Sequence, residues 1–192
     1  MLIPCPALST MKKSSANKSI NAQPSAAGTP LRGARYLHVM FHCEKSEKIV
    51  SLKWMFDQEG VDWAELVELY KIAPLGTKEA GKLEIVFSNS LYKCFVYDCN
   101  RLVGVGRALA DGADCSYICD VAVHPELQGS GLGKEIVSKL IELSDGHKKV
   151  LLYAVPGKEG FYKKLGFEKM LTAMAIFEDQ NIARSVGLID KT

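Results

Sequence analysis

The run QGSGLGK at residues 128–134 sets Gly129, Gly131 and Gly133 alternately with Ser130 and Leu132, between Gln128 and Lys134. Glycine has no Cβ, so a ligand can approach its main chain. The first turn of a helix offers such a ligand unpaired N–H groups and the positive end of a dipole. An apolar run ends at Val123, Pro125 turns the chain, and the glycines open a helix-patterned stretch, which is the placement of an anion site. Two familiar phosphate loops fail by position. A G-x-G-x-x-G motif counted from Gly129 needs a third glycine where Lys134 stands, and from Gly131 where Ile136 stands. A G-x-x-x-x-G-K-[ST] loop ending on Gly133 and Lys134 needs glycine and a hydroxyl where Gln128 and Glu135 stand. A pyrophosphate held by main chain fits the segment. The glycines alone leave open a simple turn whose residues spare strain.

Asp120 is the second carrier of chemistry, a carboxylate inside the apolar run YICDVAV. Burial there predicts a raised pKa suited to a general base; a structural acid bonded to neighbouring backbone is the competing reading. Asp111 and Asp114 flank Gly112 and read as turn formers. His124 precedes Pro125 at an exposed corner and reads as a surface histidine. Cys115 and Cys119 share a strand face without a second ligand pair, and His38, His42 and Cys43 lack the acidic partner of an HExxH motif. No metal site is expected from them.

These residues need a scaffold, and the periodicity supplies one. KIVSLKWMF (48–56) reads as a strand. Trp63, Leu66, Val67 and Tyr70 make a helical stripe behind Asp62 as cap, stopped by Pro74 and Gly76. TKEAGKLEIVFSNS predicts a second helix capped by Thr77. LYKCFVYD, RLVGVGRALA and CSYICDVAVH then follow with short polar breaks, an antiparallel meander. A helix over EIVSKLIELSDG, a strand KKVLLYAV, a short helix KEGFYKKLG closed by Gly166 and a last strand FEKMLTAMAIFE complete the order.

Gln128 through Gly133 matches the [RQ]-x-x-G-x-[GA] signature of the GCN5-related N-acetyltransferases, and GFYKKLGF (160–167) matches their aromatic-Tyr helix before the final strand. The resemblance covers roughly residues 48 to 177. It implies a mixed α+β GNAT fold, a central and mostly antiparallel twisted sheet of about six strands flanked by about four helices. It implies acetyl-CoA as cofactor, with main-chain N–H groups of Gln128, Gly129, Ser130, Gly131, Leu132, Gly133 and Lys134 on the pyrophosphate. Val121, Ala122 and Val123 would pair with the pantetheine arm, and a bulge near Val121 or Ala122 would free an N–H for the acetyl carbonyl. Tyr162 is implied as the acid that protonates the leaving thiolate, with Asp120 the candidate base. The chain departs from many members at Val155 and Lys158, where they carry Asn and Ala.

The resemblance implies acetyl transfer to a primary amine within a ternary complex. Small molecules are favoured, a protein lysine or N-terminal acetyltransferase is the alternative, and a non-catalytic CoA-binding module comes third. Residues 1–43 hold five of the 24 basic residues and none of the 22 acids, so the rest of the chain is net acidic and unlike a nucleic-acid-binding surface. No run approaches the roughly 18 apolar residues of a membrane span. Six cysteines without a signal-peptide pattern read as reduced thiols of an intracellular, cytoplasmic protein. The Ser-rich, acid-free residues 1–43 read as a disordered tail, or as a transit segment that would make the setting organellar. The acetyltransferase domain is expected over 44–180 and a C-terminal tail over 181–192; a homodimer stays open.

Overall fold

The computed structural model describes residues 37–41 and 50–190, so the tail or transit expectation for 1–36 and the cluster residues His42 and Cys43 lie outside it. Among the described residues, strands β1 (Leu37–Phe41), β2 (Val50–Met55), β3 (Tyr92–Asp98), β4 (Arg101–Ala110), β5 (Cys115–Val123) and β6 (Lys149–Leu151) form one sheet in sequential order. The first five pair antiparallel and β6 joins β5 in parallel. Strand β1 falls within the segment expected as tail, so the sheet takes in residues that the sequence pattern left out.

Helix α1 (Trp63–Ile72) starts where the Asp62 carboxylate accepts the N–H groups of Ala64 and Glu65 at 2.8 and 3.2 Å. Helix α2 (Ala80–Ser88) starts at Glu79 without a side-chain cap, not at Thr77 as expected. Leu66, Leu69 and Tyr70 of the first and Leu83 and Phe87 of the second bury against Phe95, Leu102, Val105 and Ala122 on one sheet face. On the other face, Ile136, Val137 and Leu140 of α3 (Leu132–Leu143) cover Cys94, Val96, Val103 and Ile118. Alternate side chains of β3 and β4 therefore enter two cores, which is why these strands read as continuous apolar runs.

Glycines in β4 set how close α3 comes. A methyl at Gly104 would lie 2.8 Å from Ile136 Cδ1, and one at Gly106 would lie 2.7 Å from Ile136 Cγ2. Close approach of the helix fixes the glycine run at its start against the sheet.

Two irregularities of β5 shape its C-terminal half. Val105 pairs with Ala122 and Arg107 with Cys119, so Asp120 and Val121 together face Gly106 as a β-bulge. Asp120 takes φ 52°, a left-handed conformation uncommon outside glycine. Beyond Tyr117, β5 no longer pairs with β6, and among the described residues its 118–123 stretch keeps only β4 as a ladder partner.

The C-terminal part departs from expectation. KKVLLYAV forms a strand only over Lys149–Leu151, and FEKMLTAMAIFE forms none. A strand exists by pairing, and the ladder of β6 with β5 ends at the Tyr117–Leu151 pair. Leu171, Met174 and Ile176 are consequently more than nine-tenths exposed. The short helices α4 (Glu159–Lys163) and α5 (Gln180–Ser185) complete the fold, and α5 occupies the start of the segment expected as a C-terminal tail. No helix of the described residues is long and apolar enough to cross a membrane.

Candidate cofactor and acceptor site

The glycine run follows a 3₁₀ turn, Pro125–Leu127, and leads into α3 through Gly131, whose φ of 101° is one that L side chains rarely adopt. Gly129 is also left-handed, at φ 82°. Gly131 at the N-cap of α3 has no side chain to accept a bond, so the N–H groups of Gly133 and Lys134 in the first turn lack an intrahelical partner. Three of the seven N–H groups in the run are already used. Gln128 donates to Pro125 O at 3.1 Å, Ser130 to Leu127 O at 3.3 Å, and Leu132 to Ser130 Oγ at 3.4 Å. The N–H groups of the run that take no partner among the described residues thus narrow to Gly129, Gly131, Gly133 and Lys134. The Gln128 side chain is taken up as well, donating to Val123 O at 3.1 Å and tying the loop to the strand end.

Val123 and α4 flank the loop. A methyl added at Gly133 would meet Val123 Cγ2 at 3.5 Å and Phe161 Cζ at 3.9 Å. Tyr162, next to Phe161, packs its ring edge-on against Phe161 and Phe167 at 5.0 and 6.1 Å. Burial pushes its phenol up, and its hydroxyl has no hydrogen-bond partner among the described residues. Of the other strand residues, Ala122 is buried in the α1 core, whereas Val121 packs on the α3 side.

Asp120 differs from expectation. Burial does push its carboxyl up, but the hydrogen bond from Lys78 and the charge of Arg107 outweigh that, and the carboxyl lies below its ordinary value. Lys78 Nζ lies 2.7 Å from Oδ1 and Arg107 Nε lies 2.7 Å from Oδ2. Arg107 is held in turn by Ser90 Oγ at 3.1 Å, and Lys78 Nζ sits 5.0 Å from the centre of the Tyr70 ring. The Tyr70 hydroxyl donates to Asp120 O at 3.4 Å. Lys78, Arg107 and Asp120 line a cleft of about 220 Å³ with Thr77, Leu83 and Val86. A larger cleft of about 420 Å³ lies around Glu59, Asp62 and Glu65, away from both the glycine run and the bulge.

Sequence reasoning singled out neither Lys78 nor Arg107. Arg107 could have been found, since it is the one cation between Leu102 and Ala110 and a buried carboxylate on a neighbouring strand requires a partner. Lys78 gave no such signal. The remaining candidates are structural. The Asp111 carboxylate accepts from the N–H groups of Ala113, Asp114 and Cys115, which bring it down to about 2. His124, expected on the surface, is only 17% exposed; its N–H donates to Val103 O and its Nδ1 accepts from Glu126 N.

Residues 90–169 match the model of the acetyltransferase (GNAT) domain. Over 113 residues the chain is 34% identical to an N-acetyltransferase, ycf52-like, of Prochlorococcus marinus, covering 56% of this chain and 63% of that protein. It is 32% identical over 113 residues to GCN5-related N-acetyltransferase 1, chloroplastic, of Arabidopsis thaliana, covering 57% of each. The matches thus span less than two thirds of these relatives' own length. A GNAT family acetyltransferase of Streptococcus pneumoniae superposes with a TM-score of 0.56 at 23% identity, over 67% of this chain and 99% of that one, a likeness of fold. Over residues 90–169 the chain is therefore similar to the GCN5-related N-acetyltransferases, in the family model and in these relatives alike.

Proposed function

We propose that the protein transfers an acetyl group from acetyl-CoA to a primary amine, directly within a ternary complex. The observation that carries this reading is the uncapped, glycine-built start of α3 beside the open edge of β5. The donors there fit a pyrophosphate, since Gly129 and Gly131 hold conformations that keep the approach to the main chain clear.

A bound thioester would supply an activated acetyl group, and the chain's residues do the rest. Main-chain N–H groups of Gly129, Gly131, Gly133 and Lys134 hold the diphosphate, and residues 121–123 hold the arm by strand-like pairing. The Tyr162 hydroxyl holds a proton for the departing sulfur, a role suited to a phenol kept protonated by burial. An alkylamine of pKa 10.4 costs about 4.6 kcal/mol to deprotonate at pH 7. Asp120 stands at the bulge to receive that proton, but only once an oxygen is released from the two cations that now hold it.

A small acceptor is favoured over a peptide because the cleft beside Asp120 is compact and crossed by the Lys78 ion pair. The chloroplastic name of the Arabidopsis relative supports an organellar setting. Thermal denaturation with acetyl-CoA tests the cofactor assignment. Saturation at about 100 times Kd should stabilise the fold by about 2.7 kcal/mol; no shift would sink it. Turnover over a panel of amines, followed by free-thiol release, then separates small from peptide acceptors.

A further inference from the structure

The Lys78 side chain is itself a primary alkylammonium, and its position is informative. Nζ rests 2.7 Å from Asp120 Oδ1 and 5.0 Å from the centre of the Tyr70 ring. A carboxylate and an aromatic face converging on one point make a receptor for an ammonium group. The two cations on Asp120 are not equivalent. Arg107 belongs to β4, its side chain is 11% exposed, Ser90 Oγ holds it at 3.1 Å, and its guanidinium lies 5.9 Å from the Phe87 ring. Ser90 is pinned in turn by donating to Val86 O at 2.7 Å. Lys78 sits on the irregular connection between α1 and α2, and its side chain is 33% exposed. One cation is built into the sheet; the other reaches in from a loop on a flexible stem.

We propose that Asp120 Oδ1 and the Tyr70 ring form the ammonium-recognition point of the acceptor site, and that Lys78 fills it until an acceptor amine displaces it. Calling this the acceptor site rests on the transferase reading above; the ammonium receptor itself does not. The lining sets the class of ligand. Leu83 and Val86 line the cleft beside the Glu79–Lys82 ion pair, so the ammonium should be carried on a short stem that packs on these two apolar side chains. Asp120 is the chain neighbour of Val121, within the 118–123 stretch of β5 that β6 leaves unpaired. Displacing Lys78 also frees Oδ1, so binding of the amine and availability of the carboxylate become one event.

n-Butylamine reproduces the Lys78 side chain beyond Cα and is the probe. Its binding is measured by calorimetry at matched ionic strength, with the full chain and no acetyl-CoA. Lys78→Ala empties the point while Arg107 still neutralises Asp120, and should bind n-butylammonium at least tenfold more tightly than the wild type. Lys78→Met leaves the cleft filled by an uncharged stem and should show no gain. Asp120→Asn added to Lys78→Ala should remove the gain, and Asn tolerates the left-handed backbone at 120. Equal binding by wild type and Lys78→Ala, or a gain that survives Asp120→Asn, would overturn the proposal. Acetyl-CoA is then added and free thiol followed. Lys78→Ala should lower KM for n-butylamine about tenfold. A butylammonium gain without any acetyl-CoA binding would leave the ammonium point standing and remove the transferase reading. Thiol release without a butylammonium gain would do the reverse.

Discussion

The two halves of the site are built from different material. The glycine run at the start of α3 presents main chain, and the conformations at Gly129 and Gly131 decide its shape. The cleft at the bulge presents side chains, and Lys78, Arg107 and Asp120, drawn from three separate elements, decide its charge. A main-chain site needs no particular side chain and is sensitive to φ. A side-chain site tolerates backbone variation and is sensitive to the loss of one ionic partner. Their failure modes should therefore be separable.

The largest separation is expected from Arg107→Met. With Lys78 partly exposed, Asp120 would lose its fixed counter-charge, and stability should fall by about 3 kcal/mol in urea denaturation. The binding of acetyl-CoA to the remaining folded protein should not change, and a loss of cofactor affinity would mean that the halves are coupled. Tyr162→Phe removes one hydroxyl and should lower turnover about 100-fold, near 2.7 kcal/mol, with cofactor affinity intact. An unchanged rate would take Tyr162 out of the chemistry. Gly131→Ala forces a side chain onto a φ of 101° and should cost about 1–2 kcal/mol of stability. It should weaken acetyl-CoA in titration while leaving the butylammonium response of the cleft alone.

The smallest effect is a pH dependence confined to the cleft. The folded carboxyl of Asp120 lies below its unfolded value, so its stabilisation is complete above about pH 4 and is lost as pH falls through the folded value. Asp120→Asn should flatten the acid limb of the stability curve. An identical acid limb in both proteins would show that the ion pairs do not form in solution.

The same division explains which features are legible along the chain. The loop is legible because its requirements are local: glycines at fixed spacing, a preceding apolar strand and a following amphipathic helix all lie within residues 115–143. Asp62 as the cap of α1 and the meander β3–β5 are legible for the same reason. Thr77 as a cap and FEKMLTAMAIFE as a strand mislead, since a cap needs the chain to turn at that residue and a strand needs a neighbour. The used N–H groups of Gln128, Ser130 and Leu132 are hidden as well, because residue identity says nothing of where a turn spends its donors.

The sequence by itself determined the family resemblance, the order of elements from β2 through α4, and a glycine-opened helix suited to an anion. All of these depend on periodicity and on contacts between residues close along the chain. Only the tertiary structure decided the electrostatics of Asp120. Its apolar neighbours in sequence predict a raised pKa, but the pleat and the bulge aim the carboxylate at Arg107 across the ladder and at Lys78, 42 residues away. Coulomb attraction acts through space at a few ångströms, and which charges come that close is fixed by how the sheet pairs and how the α1–α2 connection folds back over it.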